Sequence, residues 1–374
     1  MKIYAFHLLN DYSGSPKVLM QLAKSWTKNN IEVHLVTSKG NQGFLTNIEH
    51  VHARFFTYQW AENRVLRLVN LVLSQIRLIF QFLAEVKKED IIYINTVLPF
   101  GAAFLGKLKG CRVIYHLHET SVNPPILKRF LFGVAKWAAN DVIYVSRFLA
   151  AQEPFPNHKT HILYNAIEEG FLNEAMANRI TKTNYDNVLM VCSLKDYKGV
   201  NEFKALAHNN PKFNFKMVLN AHQQDIDAYF DKETLPKNLK IFSTQTNLHP
   251  FYQWADVILN LSWTDRWLET FGLTIIEGMA YGLPAIVPPQ GGITELVEEN
   301  YNGFLVDSHN SHELNYRLNQ ILHNHHGYDV MKENSIAKIR NYNEDTFGFK
   351  SFQILDLVKE GESAWNIIPN FGKV

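Results

Sequence analysis

The sequence predicts an α/β protein with two domains, each built on a parallel β-sheet that is flanked by helices. The chain has 374 residues, which is enough for two domains with separate hydrophobic cores. In the first half, short apolar runs alternate with helical patterns, as they do in proteins with parallel sheets. The same alternation begins again after a polar stretch at residues 168–186.

The first half contains six apolar runs that we predict to be strands. In chain order they read KIYAFHL, IEVHLVT, VHARFFT, DIIYINT, CRVIYHLH and DVIYVS. Helices are predicted at residues 16–29 and 62–88, near Gly101, and between the last two strands. Strands that are separated by helices form parallel sheets, so we expect one doubly wound sheet within residues 1–168.

The second half repeats this organisation with five further predicted strands, which read NVLMVCS, FNFKMVL, NLKIFS, ADVILNLS and PAIVPP. We therefore predict a second Rossmann-like domain at residues 183–345. A C-terminal helix and tail at residues 346–374 are expected to pack back on the first domain. Two Rossmann-like domains in tandem are expected to have parallel sheets that face a central cleft. Ligands of such sheets bind at the carboxyl ends of the strands.

The composition is that of a soluble globular enzyme, with 46% hydrophobic and 20% charged residues. The two cysteines, Cys111 and Cys192, lie in apolar runs, so no disulfide framework is predicted. No signal peptide is recognisable in the first residues, and no transmembrane helix is predicted, because the most apolar stretch, residues 65–86, carries six charged or amide side chains. We therefore expect a cytoplasmic protein. No His and Cys spacing fits a metal site, and no array of basic and aromatic residues fits nucleic acid.

The charges are divided unequally between the two halves. Residues 1–150 hold 18 Lys and Arg against 9 Asp and Glu, a net charge of +9, and the remainder has a net charge of −8. Arg64, Arg67 and Arg77 lie on one apolar predicted helix, and the run KRFLFGVAKWA interleaves basic and bulky apolar residues on another. One interpretation is that the first domain docks on an anionic membrane, peripherally at the inner face of the plasma membrane. The other is that both helices only cover the sheet.

The segment at residues 263–304 carries the strongest functional signal. Glu269 precedes an F-G-L turn at residues 271–273 that leads into a predicted helix, and Glu277 lies within that helix. On one helix the two glutamates would point about 80° apart, so Glu269 is expected on the loop. A helix that begins after this turn offers free N–H groups to a diphosphate. Alternatively, the T-I-I-E run at residues 274–277 is a capping box, in which Glu277 has only a structural role.

A second glycine turn, P-P-Q-G-G at residues 288–292, follows the next predicted strand and is expected to begin another helix at Ile293. The whole run E-x-F-G-L-x-x-x-E-x-M-x-x-G-L-P…G-G-x-x-E…N-G resembles that of the group 1, or family 4, retaining glycosyltransferases. These enzymes have the two-domain architecture called GT-B. The resemblance covers essentially the whole chain and is strongest at residues 186–307.

The resemblance implies roles for particular residues. Glu277 would bind the donor ribose, Glu269 would contact the donor sugar, and Lys198 would neutralise the diphosphate. His118, at a predicted strand end, would lie near the anomeric carbon of the donor. The other donor-binding positions, which would act through backbone N–H groups or a glycine loop, are Phe271, Gly272, Leu273 and Gly14.

Two positions depart from the family pattern. The family usually has Gly-Arg where this chain has Cys192-Ser193, so the arginine that binds the donor phosphate in the family is absent. Lys195, two residues further on, is a candidate to supply the missing charge. Ala166 follows Asn165 where the family usually has glycine.

The resemblance implies a retaining, hexosyltransferase-like enzyme that moves a sugar from a nucleotide-diphosphate sugar to a sugar or lipid-linked acceptor. Neither a metal nor another cofactor would be required, and cell-surface polysaccharide or glycolipid assembly is the expected pathway. Two alternatives remain open. One is a nucleotide-sugar 2-epimerase, which shares the architecture but needs no acceptor. The other is a non-catalytic protein that binds a sugar nucleotide on behalf of another transferase.

Overall fold

The computed structural model describes residues 1–40, 42–180, 182–230 and 235–357 of the chain. Within this part the chain forms two compact units. Unit 1 contains Met1–Asn165 and the segment that begins at Asp345, and unit 2 contains Ala166–Glu344. The predicted C-terminal tail lies outside the described residues from position 358 onwards.

In its described part, unit 1 has a parallel sheet of seven strands in the order β3-β2-β1-β4-β5-β6-β7. The order reverses at β1, which pairs with β2 on one side and with β4 on the other. The elements in chain order are β1 (Ile3–Phe6), α1 (Gly14–Lys28), β2 (Val33–Ser38), β3 (His52–Phe56), α2 (Arg64–Phe82), β4 (Ile91–Asn95), α3 (Phe100–Lys109), β5 (Arg112–Leu117), α4 (Pro125–Ala138), β6 (Asp141–Tyr144), α5 (Arg147–Gln152) and β7 (Lys159–Ile162).

Unit 2 has a second parallel sheet, whose six described strands run in the order β10-β9-β8-β11-β12-β13. Single 3₁₀ turns at Asp196–Lys198 and Gly292–Glu295 follow two of these strands. The elements in chain order are α6 (Glu169–Ala177), β8 (Asn187–Ser193), α7 (Val200–Asn209), β9 (Asn214–Asn220), α8 (Gln223–Tyr229), β10 (Leu239–Phe242), α9 (His249–Trp254), β11 (Val257–Leu259), α10 (Leu273–Ala280), β12 (Ala285–Val287), β13 (Gly303–Leu305), α11 (Ser311–His323) and α12 (His325–Ile339). The last helix, α13 (Glu344–Ile354), belongs to unit 1 from its second residue onwards.

Helices cover both faces of each sheet, which explains why the central strands read as uninterrupted apolar runs. Strands β1, β4 and β6 are buried over their whole length. The C-terminal helix α13 packs on unit 1, where the fully buried Trp26 donates its indole N–H to Ser351 Oγ over 3.1 Å. The Arg112 side chain adds a bond to the Ile354 carbonyl oxygen and ion pairs with Asp141 and Asp356.

The structure differs from the sequence prediction in several short elements. The polar stretch at residues 168–186 contains helix α6, whose nine residues are too few to show a clear periodicity. The second glycine turn leads into a single 3₁₀ turn instead of a helix, although Ile293, Leu296 and Val297 have helical spacing. The chain returns to β13 within a few residues, so there is no room for a longer helix. Strands β7 and β13 were not predicted, because they are short and, in β7, only partly buried.

Helix α2 is long and apolar enough to cross a membrane, judged by length and composition alone. The sequence prediction differs, because it is based on the six charged or amide side chains of residues 65–86. The helix runs from Arg64 to Phe82, and its polar side chains are few enough that an 18-residue window reaches a mean hydropathy of 1.4. Its Leu71, Leu78 and Phe82 side chains are buried in unit 1.

Candidate donor-binding and catalytic site

A part-buried ion pair between Lys198 and Glu269 lies at the carboxyl ends of two neighbouring strands of unit 2. Lys198 follows β8 in a 3₁₀ turn, and Glu269 follows β11. Gly199 (φ +79°) makes this approach possible, since a Cβ atom there would lie 2.3 Å from the Leu261 carbonyl oxygen. The distance from Lys198 Nζ to Glu269 Oε1 is 2.5 Å.

The Glu269 carboxylate is held in one orientation. Its Oε1 atom also accepts bonds from Ser262 Oγ at 2.8 Å and from Asn260 Nδ2 at 3.2 Å. Burial raises the pKa of Glu269, but the Lys198 charge and the three hydrogen bonds outweigh burial, so the pKa lies below its ordinary value. These donors all reach Oε1. Among the described residues, no donor to Oε2 is found.

Two tryptophans that sequence reasoning missed, Trp263 and Trp267, lie in the loop before Glu269, and Trp267 packs against Lys198. Lys198 Nζ lies 4.6 Å from the centre of the Trp267 ring, and Tyr197 stacks on the same ring at 5.4 Å. The indole N–H groups of Trp263 and Trp267 are buried and have no hydrogen-bond partner among the described residues. A buried N–H without a partner is costly and is a candidate to bind a ligand. The run S-W-T-D-R-W before Glu269 was the available sequence signal.

The two glycine turns meet at the backbone of Glu269. Gly291 has φ +118°, and a Cβ atom there would lie 2.6 Å from the Glu269 carbonyl oxygen. The Gly292 N–H donates to the same oxygen over 2.7 Å. Gly272, with φ +133°, caps the N-terminus of α10 without a side-chain bond, and Leu273 begins the helix.

In the predicted F-G-L turn, a ligand can reach the backbone and the partly exposed residues, but not the buried phenylalanine ring. The Phe271 side chain is 3% exposed and packs edge-on against Tyr342, with the ring centres 5.9 Å apart. Gly272 and Leu273 are partly exposed. A role for Phe271 in donor binding therefore has to involve its backbone.

Glu277 lies in the middle of α10 and is 5% exposed. The Tyr252 hydroxyl donates to Glu277 Oε2 over 2.6 Å, and burial raises the pKa of Tyr252 well above its ordinary value. The helix begins at Leu273 with Gly272 as its N-cap, so Thr274 is not a capping residue. The capping-box interpretation of residues 274–277 is therefore wrong.

Lys195 occupies a different environment from Lys198. Its side chain is exposed, and its backbone N–H donates to the Ser193 carbonyl oxygen over 2.9 Å. Lys198 is the lysine that contacts Glu269. Whether Lys195 replaces the missing family arginine stays a prediction.

In unit 1, His118 belongs to a network at the carboxyl ends of β1, β4 and β5. Asn95 Oδ1 lies 2.8 Å from His118 Nε2, and Asn95 Nδ2 lies 3.0 Å from His7 Nδ1 and 3.0 Å from the Ser15 carbonyl oxygen. A carbonyl oxygen only accepts, so the amide nitrogen must face Ser15. The amide oxygen then faces His118, whose Nε2 must carry the proton.

Burial keeps these histidines neutral. It lowers the pKa of His118 well below its ordinary value and that of His7 to about 4. Glu119 accepts bonds from the Val97 and His118 N–H groups, yet burial raises its pKa to about 7. His116 is fully buried and bonded to the Tyr93 hydroxyl at 2.7 Å, which is a structural arrangement.

Gly14 begins helix α1, next to this network. The preceding loop is held by Asp11, whose Oδ1 accepts from the Ser13 N–H over 2.9 Å. The following residue, Ser15, is bonded to Asn95. The structure thus joins the predicted Gly14 loop to His118 through one asparagine that sequence reasoning did not identify.

We expect the substitution Asn95→Asp to raise the pKa of His118 by about 1–3, because an opposite charge beside an imidazole favours its protonated form. Turnover should fall, since the carboxylate loses the bond to Ser15 and places a negative charge in the neutral network. NMR titration of the imidazole protons measures the pKa, and Asn209→Asp at an exposed helix end is the matched control. An unchanged His118 pKa in Asn95→Asp would contradict the assigned contact.

No group of three or more His, Cys, Asp or Glu side chains that could hold a metal ion occurs among the described residues. The D-x-D run at Asp225 and Asp227 lies on the exposed helix α8. There Asp227 accepts a bond from Gln223, one turn earlier, over 2.8 Å.

Comparisons with known proteins agree with this arrangement. Residues 12–170 match the model of Glycosyltransferase Family 4, and residues 173–338 match that of Glycosyl transferases group 1. An uncharacterized glycosyltransferase of Haemophilus influenzae is 24% identical over 359 residues, which are 91% of this chain and 96% of that protein.

Two solved structures show the same fold. The Anabaena protein HepE, in complex with UDP-glucose, superposes with a TM-score of 0.79 at 19% identity over 96% of this chain and all of HepE. WaaG, a glycosyltransferase involved in lipopolysaccharide biosynthesis, has a TM-score of 0.70 at 14% identity over 96% of this chain and all of WaaG.

Two parallel-sheet α/β units with strand-end sites define the fold class as that of the GT-B glycosyltransferases. The two family matches lie side by side and extend from residue 12 to residue 338. The chain belongs to the group 1, family 4 glycosyltransferases.

Proposed function

We propose that the protein is a retaining, hexosyltransferase-like enzyme that moves a sugar from a nucleotide-diphosphate sugar to an acceptor hydroxyl. The observation that carries this proposal is the Lys198–Glu269 ion pair at the strand ends of unit 2. It offers a cation for a diphosphate and a carboxylate oxygen for sugar hydroxyls. The UDP-glucose bound to HepE supports a UDP-sugar as the donor class.

Each site residue has a defined part in this proposal. Lys198 and the N-terminus of α10, at Gly272 and Leu273, stabilise the charge of the departing diphosphate. Glu269 Oε2 accepts bonds from donor sugar hydroxyls, and Glu277 binds the ribose. In unit 1, Gly14 lies in a loop for the donor, and neutral His118 contacts the reacting sugar.

In the proposed reaction, the bond between the anomeric carbon and the diphosphate oxygen breaks, and its electron pair leaves with the diphosphate. The acceptor oxygen bonds to the same face of the anomeric carbon, so the configuration is retained. The acceptor proton passes to an oxygen of the leaving diphosphate. This route needs neither a protein nucleophile nor a cofactor.

The acceptor that we propose is a sugar or a lipid-linked sugar in cell-surface polysaccharide or glycolipid assembly. WaaG acts in lipopolysaccharide biosynthesis and supports this class. A cytoplasmic enzyme at the inner face of the plasma membrane would meet such acceptors, and the net charge of +9 on residues 1–150 favours an anionic surface.

The central experiment is a thermal-shift screen of nucleotide sugars, followed by a transfer assay with the donor that binds. A donor at about 100 times its Kd should add about 2.7 kcal/mol to the free energy of unfolding. Conversion of UDP-N-acetylglucosamine without acceptor would favour a 2-epimerase instead. Binding without transfer or hydrolysis would favour a non-catalytic partner, for which the missing arginine at Ser193 is the supporting observation.

We expect transfer to continue at full rate in the presence of EDTA. The proposed site stabilises the diphosphate with Lys198 and a helix N-terminus, so a divalent cation is not needed to neutralise the diphosphate charge. The assay compares initial rates with and without EDTA, and then after addition of Mg²⁺ or Mn²⁺. A rate that EDTA abolishes and Mn²⁺ restores would contradict metal independence and direct attention to Asp225 and Asp227.

A further inference from the structure

Helices α2, α3 and α4 form one continuous layer on unit 1, which we call the basic apolar face. Helix α3 packs against both of the others. The Gly101 N–H of α3 donates to Gln75 of α2 over 3.0 Å, and the rings of Phe100 and Phe130 join α3 to α4 with centres 5.2 Å apart. Trp137 of α4 also contacts Phe104 of α3. The three helices therefore present a common outer surface.

This surface is unusually apolar for a helix layer that faces outward. It carries 13 of the 22 large hydrophobic side chains that are exposed among the described residues. Phe80 is 73% exposed, Ile126 78% and Trp137 52%. The 13 side chains are Val65, Leu66, Leu68, Val69, Val72, Leu73, Ile76, Phe80, Phe104, Leu108, Ile126, Phe130 and Trp137.

In helix α2, the exposed apolar side chains are not the ones that pack on the sheet. Its buried stripe includes Leu71, Leu78 and Phe82. At about 100° per residue, Val69, Ile76 and Phe80 lie on the side of the helix opposite that stripe. An ordinary surface helix is polar on that side, whereas this one is apolar.

The same three helices carry eight basic residues and no acidic residue. Of the eight, Lys128 forms an ion pair with Glu153. Arg64, Arg77, Arg129 and Lys136 are exposed. The eight residues are Arg64, Arg67, Arg77, Lys107, Lys109, Lys128, Arg129 and Lys136.

We propose that the basic apolar face docks unit 1 on the surface of an anionic lipid bilayer. Apolar side chains enter the boundary between headgroups and acyl chains, and the interleaved lysines and arginines contact anionic headgroups. Trp137 has the amphipathic ring that favours this boundary. Helix α2 lies on the bilayer and does not cross it, because Leu71, Leu78 and Phe82 are part of the core of unit 1.

Charge distinguishes a bilayer from a second copy of the chain. In a symmetric dimer through this face, eight basic residues would oppose eight basic residues without a carboxylate on either side, and like charges across an interface disfavour association. An anionic bilayer instead complements the whole face. This inference does not depend on the donor chemistry proposed above, because it concerns only the outer surface of unit 1.

Co-sedimentation of the full chain with vesicles tests the proposal. The vesicles are phosphatidylcholine alone, or phosphatidylcholine mixed with phosphatidylglycerol. We expect binding to the mixed vesicles that decreases as salt increases, and little binding to phosphatidylcholine. Equal binding to both vesicles, or to neither, would overturn the proposal. Self-association that the face variants below abolish would indicate a dimer surface instead.

Two pairs of substitutions locate the surface. Arg77→Gln with Arg129→Gln should weaken partitioning into the mixed vesicles by about fivefold for each residue lost. Ile76→Gln with Phe80→Gln should also weaken it. The control pair, Lys212→Gln with Val330→Gln, changes exposed residues of unit 2 and should bind like the unchanged protein.

Thermal unfolding and UDP-sugar binding are measured on all three pairs, and both should be unchanged. Lost vesicle binding with intact donor binding in the face variants supports the docking surface. Equal loss in the control pair would overturn it. If the unchanged protein binds the mixed vesicles but neither it nor any variant binds a UDP-sugar, the proposed transferase activity is rejected. The docking surface is still supported in that case.

Discussion

Replacement of Lys198 by methionine is expected to lower kcat by about 100- to 1,000-fold, the effect of removing one charge-stabilising group from a transition state. Lys198 has a side chain that is only 13% exposed and touches Glu269. Methionine preserves the length and the apolar contact with Trp267 but carries no charge. Steady-state kinetics with the best donor of the screen provides the measurement, and Lys198→Arg should retain part of the activity.

Loss of the ion pair also affects folding, so the design must separate the two effects. A Glu269 carboxylate left without Lys198 is a buried charge without its partner, which is destabilising. The double variant Lys198→Met, Glu269→Gln removes both charges and should recover stability without recovering kcat. If the double variant regained turnover together with stability, Lys198 would have only a structural role.

The same kinetic assay tests the role of Lys195. Lys195→Ala should reduce kcat if this exposed lysine replaces the arginine that is missing at Ser193. Lys212→Ala, at another exposed lysine of unit 2, is the matched control and should have no effect. Equal kinetics of the two variants would leave Lys198 as the cation that the proposal relies on.

The second large effect is expected for Glu277→Gln, which should weaken donor binding by about 1–3 kcal/mol, or about 5- to 150-fold in Kd. Glutamine keeps the shape of the side chain but removes the charge that would accept bonds from two ribose hydroxyls. Isothermal titration with UDP and with UDP-glucose measures the change. Both ligands should be affected, because both contain the ribose.

Tyr252→Phe is the control for Glu277. It removes the hydroxyl that donates to Glu277 Oε2 and leaves the carboxylate in place. If Glu277 serves only to bind Tyr252, the two variants should lower the unfolding temperature equally and leave the affinity for UDP unchanged. A loss of affinity in Glu277→Gln that exceeds the loss in Tyr252→Phe supports ribose binding.

Much of the fold could be predicted because parallel strands are buried on both faces and leave uninterrupted apolar runs in the sequence. All strands that read as such runs, for example β4 and β8, are present in the structure. The short strands β7 and β13 were missed, since β7 is mostly polar and the three residues of β13 are too few to give a periodic signal. The helix expected at Ile293 shows the opposite error, in which core spacing imitates helical spacing.

Candidate site residues were recognised where they belong to a local motif, as Glu269 and Glu277 do. Asn95 and Trp267 were not recognised, because their significance depends on partners far away in the sequence. Asn95 meets His7, 88 positions earlier, and His118, 23 positions later. Trp267 covers a lysine that lies in a different loop. The apolar outer side of α2 was equally hidden, since the sequence alone does not show which side packs on the sheet.

In the Lys198–Glu269 pair, the cation that is proposed to bind the diphosphate already has a counter-ion within unit 2. Each charge of the pair neutralises the other, which offsets part of the cost of taking both out of water. A small anion such as phosphate that drew Lys198 away would leave the Glu269 carboxylate without its counter-ion, with only the bonds from Ser262 and Asn260 to stabilise it, at an energetic cost. A ligand that brings both an anionic group and hydroxyl donors replaces both partners at once. In the proposed reaction, the nucleotide that remains after transfer carries no sugar and would replace only one partner, so reformation of the pair would favour its departure.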